Sequence, residues 1–167
     1  AGAFPADRGN ALSSVLDFKL LDGNTEKRTV KAKVGESEVS LTSNGYITKN
    51  KKTTYLVSVR QSYLQLLFKV LDMPFLPRYT DAQFKIKTRF SQAHELTWIG
   101  LGAIDNMKLN TDTDPKDESK QYLLNYLPVI KQQTYTLGAV YKHYAGRHTQ
   151  TLVLSRSFMN NNNRKYL

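Results

Sequence analysis

Apolar and polar residues alternate with a period of two over most of this chain, and side chains that change face at every position define β-strands. In 28–34, Val30, Ala32 and Val34 fall on one side and Thr29, Lys31 and Lys33 on the other. The pattern is clearest in 82–90, where Phe84, Ile86 and Phe90 stand opposite Lys85, Lys87 and Arg89. Further strands are predicted over 15–21, 39–41, 53–60, 96–104, 135–144 and 149–158, with turn signals every 8–12 residues or so. The Asn44-Gly45 pair has the chemistry of a tight hairpin turn. Burying three unpaired cations costs far more than exposing three apolar groups, so the register of 82–90 predicts Phe84, Ile86 and Phe90 inside.

Two segments depart from period two. Leu64, Leu67, Phe68 and Leu71 fit helical spacing, while Leu64, Leu66, Phe68 and Val70 fit strand spacing, so 64–71 stays open between the two. A short helix fits 119–130, ended early by Pro128. The fold class expected is mainly β, an antiparallel β-sandwich or barrel with at most one or two short helices. The 167 residues suit one domain, divided into an irregular N-terminal arm (1–11), a β-rich body (12–158) and a polar, basic tail (159–167).

Charge is the second constraint. The chain carries 24 Lys+Arg against 14 Asp+Glu, a net +10. The excess is uneven: 27–89 and 119–167 are strongly basic, 1–26 and 90–118 are acidic, and no carboxylate follows Glu118. Such patterning predicts a polyanionic partner, nucleic acid foremost. On strand 82–90, Lys85, Lys87 and Arg89 would stand about 6.6 Å apart, close to the phosphate spacing of a nucleic-acid strand. Lys31 and Lys33 form a shorter row, and Lys49, Lys51 and Lys52 a loop cluster. Tyr141 and Tyr144 head the interleaved tyrosines on which bases of a single strand would stack. Against this stands the common use of lysine on solvent faces and sheet edges.

Catalytic patterns are missing. Without cysteine there is no disulfide framework, thiolate metal site or cysteine nucleophile. No phosphate-binding glycine loop, nucleophile elbow or zinc helix occurs. His94, His143 and His148 are the only imidazoles, and His94 and Glu95 would point to opposite faces of a strand. The acidic stretch 112–118 has the wrong residues for an EF-hand loop. No run approaches the roughly 18 apolar residues of a spanning helix, so a soluble chain without membrane insertion is expected.

The expected function is therefore non-enzymatic, with neither cofactor nor metal. The sequence reads as a small self-assembling coat (capsid) subunit packaging RNA or single-stranded DNA with little base preference; the location is open, and is the virion if that reading holds. Two alternatives remain: a cellular single-strand-binding β-domain, and a secreted or surface β-sandwich that binds a protein or glycan.

Overall fold

The structure, a computed structural model, describes residues 17–111 and 118–165. The fold is mainly β, with seven antiparallel strands in one open sheet and two short helices among the described residues. The strands are β1 (Thr29–Val34), β2 (Glu38–Tyr46), β3 (Thr53–Ser62), β4 (Phe75–Arg89), β5 (His94–Leu109), β6 (Val129–Ala145) and β7 (His148–Arg164). Each pairs with its neighbour in sequence, giving the spatial order β1-β2-β3-β4-β5-β6-β7, a plain up-and-down meander. Helix α1 (Leu64–Val70) lies between β3 and β4, and α2 (Glu118–Tyr126) between β5 and β6.

The connections at the two ends of the sheet differ. At one end the chain turns within 47–52, 90–93 and 146–147. At the other the connections are 35–37, 63–74 and 110–128, and both helices lie there. Phe68 of α1 meets Phe75 of β4 edge to face, with centroids 5.3 Å apart. An ion pair from Lys120 to Asp72 ties α2 to the loop after α1.

Several sequence expectations are corrected. The ambiguous 64–71 resolves as a helix over 64–70, and α2 stops before Pro128, as proline requires. The residues 17–21 of the first predicted strand are irregular. Asn44-Gly45 makes no turn and sits inside β2. Asn44 Oδ1 accepts a hydrogen bond from Thr29 Oγ1 across the ladder (2.9 Å), and Arg28 lies so close over Gly45 that a Cβ there would come within 2.8 Å of it. β7 continues through the asparagine run to Arg164, where a loose tail is expected, because Asn160–Asn163 find ladder partners in 130–133. The expected arm (1–11) and most of the acidic stretch (112–117) lie outside the described residues.

The largest correction concerns the core. Among the described residues no apolar side chain is fully buried. Phe84 and Ile86 are half-buried and Phe90 is 56% exposed, because a one-layer sheet places nothing over them. The chain exposes 12679 Å², against about 8,400 Å² for a compact monomer of 19.1 kDa.

Candidate functional site: the two faces of the sheet

Ladder register assigns every strand residue to one of two faces. The face bearing Lys85 is the more polar of the two, although Leu56, Ile99, Leu101, Val140, Val153 and Met159 also stand on it. Across it Thr42 and Ser58 share a hydroxyl hydrogen bond of 2.8 Å, as do Thr136 and Ser157. Arg60 pairs with Asp81 (2.8 Å) and Glu38 (3.5 Å), and the Tyr79 hydroxyl donates to Glu38 (2.6 Å). All four carboxylates of the strands, Glu38, Asp81, Glu95 and Asp105, stand on this side.

The opposite face carries an apolar band. On β5 it runs Leu96, Trp98, Gly100, Gly102, Ile104, bounded by His94 and by Asn106 and Lys108. On β6 it runs Tyr135, Leu137, Ala139, Tyr141, a short aliphatic stretch closed by a tyrosine at each end. β3 contributes Tyr55, Val57 and Val59, β4 contributes Ala82, Phe84 and Ile86, and β7 contributes Leu152, Leu154 and Phe158. Tyr135 stacks on Phe158 with centroids 5.1 Å apart. Arg156 is the one charge within the band.

The structure draws part of the predicted basic site together on the polar face. Lys51, Lys52, Lys87 and Arg89 line a cleft of about 260 Å³ with Asp22, Gly23, Thr25 and Thr54, and Lys85 is the next outward position on β4. Residues 20–25 form a strap across this face. Lys85 Nζ donates to Leu20 O (2.7 Å), and Asp22 bridges Lys85 (2.6 Å) and Lys87 (2.9 Å). Burial alone would push the Asp22 carboxyl up, but hydrogen bonds from the two lysines and their charges outweigh it and hold Asp22 below the ordinary aspartate range. Glu95, only 3% exposed, pairs with Lys87 and Arg89, each at 3.2 Å. The cationic row is thus largely neutralised from within.

The remaining predicted residues are dispersed. Lys31 and Lys33 share the polar face but stand three strands away on β1. Lys49 is in the same loop as Lys51 without lining the cleft. Tyr144 is next to last in β6, while Tyr141 is on the apolar face, where its hydroxyl meets His94 Nδ1 at 2.6 Å. His94 stacks on His143 (4.6 Å), and His148 is exposed on β7. Sequence reasoning missed Glu95 and Asp22. Glu95 is readable once the 90–93 hairpin sets it opposite Arg89; Asp22, 65 residues from Lys87, gives no local signal.

The described residues hold no group of three or more His, Asp or Glu able to bind a metal. None of their helices is long and apolar enough to cross a membrane. Comparison with protein-family models, curated proteins and solved structures finds no match.

Proposed function

We propose that these seven strands are wall segments of a transmembrane β-barrel, with the apolar band against lipid and the polar face lining an aqueous lumen for hydrophilic solutes. The observation that carries the reading is the uncovered apolar band on strands too long for an ordinary domain. β4 to β7 have 15, 16, 17 and 17 residues, where soluble strands average five or six. At about 3.4 Å per residue and a tilt of about 40°, such a strand reaches roughly 40 Å along the membrane normal. The band on β5 is about 21 Å tall on the same arithmetic, near the 25 Å typical of barrels. Tyrosines at its margins, a meander of sequential neighbours, and two long connections, 63–74 and 110–128, that both fall at the same end are further barrel traits. Seven strands fall short of the eight of small barrels, so closure needs strands beyond the edges of β1 and β7. β1, with six residues, is too short to cross alone.

Single-cysteine labelling tests the reading cleanly, because the chain has no cysteine of its own. In the full-length chain inserted into phosphatidylcholine vesicles, Leu137→Cys and Leu154→Cys should resist a water-soluble maleimide, while Thr136→Cys and Ser155→Cys react. Equal reactivity of neighbouring positions would count against a lipid-facing wall.

A self-assembling coat subunit on nucleic acid is the second reading, favoured by the basic cleft and by an apolar face that a second copy would cover. It ranks lower because Asp22 and Glu95 already occupy Lys85, Lys87 and Arg89. It requires salt-dependent oligonucleotide binding, with log K falling by about 0.7 per decade of salt for each phosphate contact.

A further inference from the structure

The apolar face carries five cations and no carboxylate on β1 to β7: Arg78, Lys108, Lys131, Arg156 and Arg164. Four of them, all but Arg156, lie together beyond the same end of the band. Arg78 opposes Asn106, which opposes Lys131, and Lys131 opposes Asn162, two positions before Arg164. Lys108 lies two positions beyond Asn106. Neighbouring cations are therefore about 7–10 Å apart. All four are exposed, and none has a side-chain hydrogen bond or ion pair among the described residues. Lys131 and Arg164 flank a groove of about 250 Å³ with Val129 and Asn162.

A row of unpaired cations immediately outside an apolar band sits at headgroup depth, where anionic lipid attracts lysine and arginine. We infer that this fringe binds the phosphates of an anionic lipid in the leaflet on the long-connection side. The inference rests on the barrel reading. Two features separate the fringe from a lysine-decorated solvent face: its cations are confined to one end of one face, and that face has no acid to balance them. The short-turn end of the same face presents His94, His143 and Gln150 on its strands.

The test compares the full-length chain with the variant Arg78→Gln/Lys108→Gln/Lys131→Gln/Arg164→Gln in phosphatidylcholine vesicles, with and without diphosphorylated lipid A. Bound lipid A is measured on the extracted protein by native mass spectrometry. Trp98, far from the fringe on β5, reports insertion independently through quenching by brominated acyl chains. Wild-type protein should retain lipid A in preference to phosphatidylcholine. At about fivefold per cation, the variant should lose two to three orders of magnitude of that preference while Trp98 stays quenched. Quenched Trp98 with no lipid A preference in the wild type, or with the preference intact in the variant, overturns the fringe and leaves the barrel standing. Unquenched Trp98 overturns both.

Discussion

At Gly23 the strap passes so close to β3 that a Cβ would lie 2.3 Å from the Tyr55 carbonyl oxygen. Backbone cannot yield as a side-chain tip can, so Gly23→Ala should lift the strap from the polar face. Asp22 anchors the same strap through Lys85 and Lys87. Because its carboxyl is held below the ordinary value of 3.8, its contribution is present above that pH and lost as pH falls through the lowered value. A dye on Leu21→Cys should therefore show slow anisotropy decay at neutral pH and fast decay in strong acid. Asp22→Asn should give the fast decay at pH 7. A dye equally mobile in both proteins at neutral pH would mean the two lysines do not hold the strap. None of this is legible in the sequence, since Asp22 and Lys87 are 65 positions apart and nothing local links them.

Among the elements, β7 shows how alternation and propensity diverge. Its apolar half, Leu152 to Phe158, reads directly as a strand, but asparagine is depleted in strands, so 160–163 reads as tail. Pairing with Ile130, Lys131, Gln132 and Gln133 overrides that preference. Truncation before Asn160 should consequently lower the stability of the inserted protein, measured by denaturant titration in vesicles; an unchanged midpoint would show that this part of the ladder contributes nothing. Arg156 is the other test on β7. A charge between Leu154 and Phe158 costs about 2–4 kcal/mol at the bilayer midplane and about 0–1 near an interface. Arg156→Leu should stabilise the inserted protein, by up to about 4 kcal/mol if the site is central. Destabilisation would place Arg156 against a polar partner. The helix over 64–70 was undecidable from sequence because both periods fit its leucines; in the structure its Phe68 packs on Phe75 of β4.

For the whole molecule, period two reports which residues share a face and says nothing about what covers it. The partition of Phe84 and Ile86 from Lys85 and Lys87 was legible; the inference that the apolar side must be a protein core was not, because lipid satisfies the same pattern. Net charge misleads for a related reason. The +10 total hides one face with counter-ions of its own and an apolar face on which four of five strand cations sit at one margin. The single tryptophan, Trp98, is 49% exposed within the uncovered band, one outward position in from its Leu96 end, and is a native probe of what lies against it. The decisive measurement is its emission with the full-length chain in vesicles whose acyl chains carry bromine. A lipid-facing wall predicts blue-shifted emission, strongly quenched by the brominated chains. Emission that is already blue-shifted in lipid-free buffer, and that brominated vesicles leave unquenched, would put a second protein layer over the band and contradict the barrel.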